Sequence, residues 1–233
     1  MYVAPVISIV VPTYNEATSL PILAERLGAA LGGRDWELVV VDDGSPDGTA
    51  GIAERLAPRL PVRVVRRSGK SGLASAVIAG FKDARGDLLV VMDADLSHPP
   101  EVVPALVDAV VGGADLAVGS RYVRGGGTAD WPLRRRVVSR VACILGNLLV
   151  PVRDATSGFF ALKRSAIDGV RLNAIGFKIG FEVIARGRFR KIVEVPYVFR
   201  DREHGASKFG RREIAQYLVR LGQVARDRAL RRI

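Results

Sequence analysis

Apolar positions along the first 120 residues switch repeatedly between two periods. Residues 6–11 form an unbroken, mostly β-branched run, which predicts a buried strand. Leu20, Leu23, Leu27 and Leu31 then recur at helical spacing, with Thr18 or Ser19 as the cap and Pro21 in the first turn. The alternation continues: strand 38–41, helix 47–60, strand 62–65, helix 72–84, strand 88–92, helix 99–111, strand 116–118. Continuous apolar strands alternating with helices predict an α/β fold, a parallel sheet with helices on both faces. Ligands bind beyond the carboxyl ends of such strands. The informative loops are therefore 12–16, 42–48, 66–71, 93–99 and 119–127.

After Gly119 the pattern loosens. Gly125-Gly126-Gly127 predicts a mobile loop, and residues 131–150 one or two helices with arginines on one side and Val, Ile and Leu on the other. Strands are expected at 157–163 and 191–197, with a short helix at 181–186. From residue 211 the spacing is helical again, with Ile214, Leu218, Leu221 and Ala225 on one stripe. One domain over 1–210 followed by a basic amphipathic helix over 211–233 fits this pattern.

Composition narrows the function classes. Of 233 residues, 48% are hydrophobic and 25% charged, the balance of a globular protein. The single cysteine, Cys143, excludes an internal disulfide and a cysteine zinc site. The N-terminus carries no secretory signal pattern, so the expected compartment is the cytoplasm. The longest nearly apolar run, 141–152, has 12 residues, against ~20 for a bilayer span. Charge is polarised: residues 1–120 hold 10 Lys+Arg and 15 Asp+Glu, whereas 121–233 hold 25 and 9. The first half is suited to a cation and the second to an anion. Only 6% of residues are aromatic, which argues against a nucleic-acid or membrane-binding module without catalysis, and no nucleic-acid partner is expected.

The loops supply the chemistry. Tyr14 and Glu16 in Pro12-Thr13-Tyr14-Asn15-Glu16 offer a ring and a carboxylate to a base. In Asp42-Asp43-Gly44-Ser45-Pro46-Asp47-Gly48, Asp47 can cap the next helix, leaving Asp42 and Asp43 without a structural task. Ser68-Gly69-Lys70-Ser71 lacks the upstream glycine of a P-loop, which falls at Val64, and no G-x-G-x-x-G follows the first strand. Asp93 and Asp95, two apart at a strand end, are hard oxygen ligands suited to Mg²⁺ or Mn²⁺ that also binds substrate phosphate. His98 reads as a loop or capping residue. Arg121, Arg134, Arg135, Arg136, Arg202 and Lys208 provide phosphate-binding cations. Acidic loops beside arginines imply a nucleoside diphosphate neutralised from both sides.

Taken together, these motifs resemble family 2 glycosyltransferases of the GT-A fold, and within them dolichyl-phosphate (polyprenyl-phosphate) mannose synthases. The likeness continues through Gly119-Ser120-Arg121-Tyr122, Trp131 with Arg135 and Ser139, Thr156-Ser157-Gly158-Phe159 and Arg202-Glu203-His204-Gly205-Ala206-Ser207-Lys208, covering residues 6–210. The resemblance implies a GT-A, Rossmann-like, mostly parallel sheet. It implies that Pro12, Tyr14, Glu16, Val41 and Asp43 line the nucleoside pocket, that Asp93 and Asp95 hold the metal with Ser97 nearby, and that Ala94 touches the sugar nucleotide. Arg121, Arg135, Ser139 and Arg202 would bind phosphates, the acceptor's included, and Lys208 the donor. Asp95, Arg121, Arg135 and Arg202 are the expected catalytic residues. Asp154 is expected either to orient an arginine or the sugar, or to serve only as a turn. The implied reaction moves mannose from GDP-mannose to a polyprenyl (dolichyl) monophosphate with inversion; glucosyl transfer from UDP-glucose is the alternative. A polyprenyl acceptor further implies a peripheral position on the cytoplasmic face of a membrane, through interfacial helices at 131–150 and 211–233 or through an anchoring partner protein.

Overall fold

The computed structural model of the chain describes residues 5–129, 131–173, 178–201 and 211–230, with the side chains of 211–214 left aside. The elements follow the alternation in the sequence: β1 (Ile7–Thr13), α1 (Ser19–Ala30), β2 (Trp36–Asp42), α2 (Thr49–Leu56), β3 (Val62–Arg66), α3 (Leu73–Asp83) and β4 (Leu88–Val91). A single 3-10 turn (Pro100–Val102) leads into α4 (Val103–Val111), followed by β5 (Leu116–Ser120), β6 (Gly127–Thr128) and α5 (Leu133–Asn147). The chain continues with β7 (Phe160–Lys163), α6 (Ile179–Arg186), β8 (Ile192–Pro196), β9 (Val198–Phe199) and α7 (Arg211–Ala229).

Seven strands form one sheet in the order β3-β2-β1-β4-β7-β5-β8, and β6 and β9 form a second, two-stranded one. The pleat decides which helices go where. Ile7, Ile9 and Val11 of β1 point to the face covered by α1, α2 and α4. Val10, with Val39 and Val41 of β2, points to the face covered by α3, α6 and α7. Strands buried on both sides need continuous apolar sequence, which is why periodicity identified them so readily.

β7 runs antiparallel between β4 and β5, so the sheet is mostly parallel, as the resemblance implied. One feature departs from the expectation. The glycine stretch is not a free loop: Gly127 and Thr128 pair in parallel with Val198 and Phe199, and the Gly126 N–H donates to the Val123 carbonyl. Gly126 is also packed so closely on the Ser120 carbonyl that a Cβ would not fit there.

The C-terminal helix docks on the α/β body by a face other than the predicted stripe. Tyr217 and Val224 are buried, and the Tyr217 hydroxyl donates to the Ala142 carbonyl of α5 at 3.0 Å. Arg220 and Asp227 flank them, paired with Glu182 and Arg186 of α6. Leu218 and Ala225 of the predicted stripe face outward and Leu221 is half-buried. The side chain of Ile214 lies outside the described residues. Among the described residues, no helix is long and apolar enough to cross a membrane.

Candidate active site

The chain reverses its outward winding between β1 and β4, and the loops following β1, β2, β4 and β5 all leave the sheet at one edge. The nucleoside-side loops are tied together by hydrogen bonds. The Asn15 N–H donates to Ser45 Oγ (3.0 Å), the Glu16 N–H to Thr49 Oγ1 (2.9 Å) and the Ala17 N–H to Asp47 Oδ2 (3.0 Å). Asp47 also accepts the Thr49 N–H at the start of α2, the capping role expected of it. Asn15 adopts a left-handed φ of 61°, which asparagine tolerates better than most residues and which turns the chain between Tyr14 and Glu16. Lys70, from the loop rejected as a P-loop, places Nζ 4.0 Å from the centre of the Tyr14 ring.

Asp42 and Asp43 have structural tasks after all. Asp42 accepts the Thr13 hydroxyl and the Ser45 N–H and hydroxyl. Asp43 accepts the Ser71 and Gly72 N–H groups at 3.2 Å and meets the Arg67 guanidinium at 2.8 Å. Both bind loops that are remote in sequence, which spacing alone does not reveal. Val41 needs a correction too: its side chain is fully buried against α3, so any contact with a ligand must come from its backbone. Pro12, Tyr14 and Glu16 are half-buried at the edge.

The loop after β4 is tightly organised. Asp93 and Asp95 are partly exposed, while Ala94, Ser97 and His98 are buried. The Ser97 N–H donates to Asp95 Oδ1 at 3.1 Å, and the Asp93 N–H donates to His98 Nδ1 at 3.0 Å. Leu96 takes a left-handed φ of 62°, uncommon for leucine, and this turn folds His98 back beneath Asp93. The Ser97 hydroxyl is buried without a hydrogen-bond partner among the described residues. Two carboxylates and an unpartnered buried hydroxyl within five residues suit a hard divalent cation that takes its remaining oxygens from substrate phosphate. The described residues hold no group of three or more His, Cys, Asp or Glu side chains able to do so alone.

At the same edge of the sheet lies a buried arginine. Arg121, at the end of β5, donates Nε and Nη2 to the two oxygens of Asp154, both at 2.7 Å, and Nη2 also to Thr156 Oγ1 at 2.8 Å. Burial opposes the Arg121 charge, but the carboxylate overrides it and raises the guanidinium further. Burial likewise opposes the charge of Asp154, and Arg121 holds that carboxyl below its ordinary range. Of the two expectations for Asp154, orientation of an arginine is the one observed. Nη1 is the arginine nitrogen left without a hydrogen-bond partner among the described residues.

Arg135 is engaged differently. Its Nη1 meets both oxygens of Asp201, at 2.6 and 2.7 Å, and its guanidinium lies 3.9 Å from the Trp131 ring centre. It is thus an ion pair at the site's rim in this state. Ser139 Oγ accepts the Tyr122 hydroxyl at 2.8 Å, and Arg140 stacks over the Tyr122 ring at 4.8 Å. Arg202 and Lys208 lie outside the described residues.

Two residues of the site escaped the sequence reading. His98 is in the acidic motif, but its burial was not legible there. Lys178 precedes α6 and donates Nζ to the Thr156 carbonyl at 3.3 Å. Burial, reinforced by Arg121, lowers its pKa to about 8. Its place depends on Gly180, whose missing Cβ lets α6 abut the Ser157 carbonyl. A glycine two residues after a lysine at a helix start was the only available signal.

Comparison with known proteins places this geometry. The profile of glycosyl transferase family 2 matches residues 8–171. The dolichol-phosphate mannosyltransferase of Pyrococcus furiosus is 48% identical over 216 residues, 91% of this chain, and the chain spans 61% of that relative's length. The polyprenol monophosphomannose synthase of Mycolicibacterium smegmatis is 40% identical over 92% of this chain and 85% of its own length. Among solved structures, glucosyl-3-phosphoglycerate synthase from Mycobacterium tuberculosis with Mg²⁺ and uridine diphosphate has a TM-score of 0.68 at 26% identity, covering 94% of this chain and 80% of that one. The fold, the ordered acidic loops and the matched profile agree, and the chain belongs to glycosyl transferase family 2.

Proposed function

We propose that this chain transfers mannose from GDP-mannose to a polyprenyl (dolichyl) monophosphate, giving polyprenyl-phosphate mannose with inverted configuration. The observation that carries the reading is the placement, at one edge of the sheet, of the Asp93/Asp95/Ser97 loop after β4 and the buried Arg121 after β5, within a chain whose relatives bear mannosyltransferase names. Pro12, Tyr14, Glu16 and Asp43 receive the nucleoside, with Ala94 against the sugar. Asp93, Asp95 and Ser97 would hold Mg²⁺ or Mn²⁺, which supplies neutralisation of the diphosphate leaving group. Arg121 through Nη1, Arg135, Ser139 and Arg202 receive the acceptor phosphate, and Lys208 the donor.

The acceptor needs no base. A phosphate monoester has its second pKa at about 6 and is largely dianionic at neutral pH. A phosphate oxygen forms the new bond to the anomeric carbon as the bond from that carbon to the GDP oxygen breaks, so no proton has to move. His98 fits this account: burial lowers its pKa to about 4, and its Nδ1 is occupied by a backbone N–H. The protein's task is to hold two anions in line against their repulsion, which is what the fixed guanidinium and the carboxylate loop are built for.

A lipid-borne acceptor requires contact with a bilayer. Leu133, Val137, Val141 and Ile144 of α5, with Leu148 just past its end, are 76%, 54%, 50%, 53% and 77% exposed, forming one apolar stripe unpartnered among the described residues. Exposed Arg134, Arg136 and Arg140 flank it, while Leu218 and Val219 of the neighbouring α7 add to the outward apolar surface. Apolar residues beside arginines favour an anionic membrane surface, with each basic residue worth about 1 kcal/mol there.

The test is transfer to a short polyprenyl phosphate in detergent, with GDP-mannose and UDP-glucose in parallel, by wild type and Asp95→Asn. Mannosyl transfer that needs Mn²⁺ or Mg²⁺ and falls at least a hundredfold in the variant is expected, about 3 kcal/mol of lost electrostatic stabilisation. Preference for UDP-glucose would overturn the donor, and full activity of the variant at limiting Mn²⁺ the metal site.

A further inference from the structure

The buried histidine of the acidic loop has no part in the proposed transfer, yet it is packed among three aromatic rings next to Ser97. Its ring stacks on Phe159 with centroids 4.9 Å apart and planes 10° from parallel. Tyr197 and Phe199 meet it edge-on at 5.7 and 6.0 Å. Three segments thus clamp one imidazole: the approach to β7, the end of β8 and β9. An aromatic pocket of this kind would accept phenylalanine at lower cost, since burying a polar ring is unfavourable unless its polar atoms are used. The one hydrogen bond formed by His98 among the described residues is from the Asp93 N–H to Nδ1. That N–H is the second beyond the end of β4: the Met92 N–H still donates to the Val10 carbonyl, whereas the part-buried Asp93 N–H turns to His98 for its acceptor, and leaving such an N–H without one is costly.

Geometry also fixes the tautomer. Nδ1 accepts, so it bears no hydrogen, and the neutral ring carries its hydrogen on Nε2. The 3.8 Å approach of Nδ1 to Asp93 Oδ2 is therefore no ion pair, because the Nδ1 lone pair is already committed to the backbone.

We propose that His98 is a positioning residue: by accepting the Asp93 N–H, it sets the direction in which the Asp93 carboxylate leaves the strand toward the cation. The left-handed turn at Leu96 delivers the ring, the aromatic clamp fixes its plane, and the hydrogen bond transmits that plane to Asp93. Partners one step removed from a metal ligand commonly change metal affinity ten- to a hundredfold. The inference rests on the reading of Asp93 and Asp95 as the metal-holding pair.

The experiment is a Mn²⁺ titration of the full chain with saturating GDP, followed by the electron paramagnetic resonance signal of free Mn²⁺. It uses wild type, Asp95→Asn, His98→Phe and His98→Asn. Phenylalanine keeps the stacking and lacks the acceptor; asparagine lacks the stacking but can place its amide oxygen close to the Nδ1 position. His98→Phe should bind Mn²⁺ about tenfold more weakly, with the melting temperature of the metal-free protein nearly unchanged because the better burial of an apolar ring offsets the lost hydrogen bond. His98→Asn should recover most of that affinity despite a lower melting temperature, a rescue that a purely packing role would not give. Equal Mn²⁺ binding by His98→Phe and wild type, or no recovery in His98→Asn, overturns the proposal. Wild type binding no better than Asp95→Asn overturns instead the metal reading beneath it. If His98→Phe does not fold, the ¹⁵N spectrum of wild-type His98 decides: a protonated Nε2 with a bare Nδ1 is expected, and the opposite tautomer refutes the proposal.

Discussion

Asp154→Asn separates the structural and chemical roles of the buried arginine. Asp154 is fully buried and Arg121 nearly so, and the pair makes two hydrogen bonds of 2.7 Å, with a third from the Arg121 N–H at 3.0 Å. The amide conserves shape but removes the charge and presents an NH₂ group toward donors. Arg121 cannot lose its proton, so it would stay charged, buried and unpaired. Breaking such a pair from one side costs about 3–5 kcal/mol. At 2–4 °C per kcal/mol for a domain of this size, the melting temperature should fall by about 6–20 °C. Misplacement of the guanidinium by an ångström is enough to lower transfer about a hundredfold. Urea denaturation and transfer kinetics on the same preparations measure both. The double variant Arg121→Met/Asp154→Leu supplies the control, because apolar residues of similar volume commonly replace a buried pair with little loss. It should regain most of the stability and none of the activity. Asp154→Asn within about 1 kcal/mol of wild type would refute the energetic argument, and an active double variant would refute a role for Arg121 in phosphate binding.

Three further outcomes are expected. Lys178→Met should remove a cation from beside Arg121 and Asp93 and lower kcat/KM about tenfold or more, while the melting temperature changes little or rises, because a buried charge has been removed. Gly180→Ala should cost about 2 kcal/mol or more by urea denaturation, since its Cβ would overlap the Ser157 carbonyl, and should impair transfer as well because a shift of α6 moves Lys178 immediately before it. Asp115, whose pKa is lowered to about 2 by Lys163 and by the Arg190 and Lys191 N–H groups, stabilises the folded state most fully above pH 4. That contribution is lost as pH falls from about 4 toward 2. Asp115→Asn should therefore cost about 1 kcal/mol at pH 7, a figure reduced for solvent screening, and the difference should vanish near pH 2 in denaturation curves.

The elements on either side of the sheet were legible because strands buried on both faces must be continuously apolar, and the helices covering them must repeat at three and four residues. The order of loops at the carboxyl edge followed from the same alternation, and with it the placement of Tyr14, Asp43 and the Asp93–Ser97 stretch. What the sequence determined is thus what local periodicity and chain order can encode: an α/β sheet with acidic loops at one edge and a basic second half.

Tertiary structure decided everything that depends on residues meeting across long separations. β7 carries no local mark of its antiparallel insertion between β4 and β5, because strand direction is set by what precedes and follows it. Asp42 and Asp43 looked available until Thr13 and the Ser71–Gly72 loop were folded against them. Arg121 and Asp154 are 33 residues apart, so neither spacing nor charge count could pair them. The apolar positions of α7 gave no sign that Tyr217 and Val224, rather than the Leu218 stripe, would dock, since that choice was made by Glu182 and Arg186 on another helix. His98 shows the distinction most clearly: its motif was visible in the chain, but only three aromatic rings from distant segments make it a fixed acceptor for the Asp93 N–H. Local periodicity records which side of an element is apolar; which group it finally touches is settled by packing and by the need to satisfy every buried polar atom.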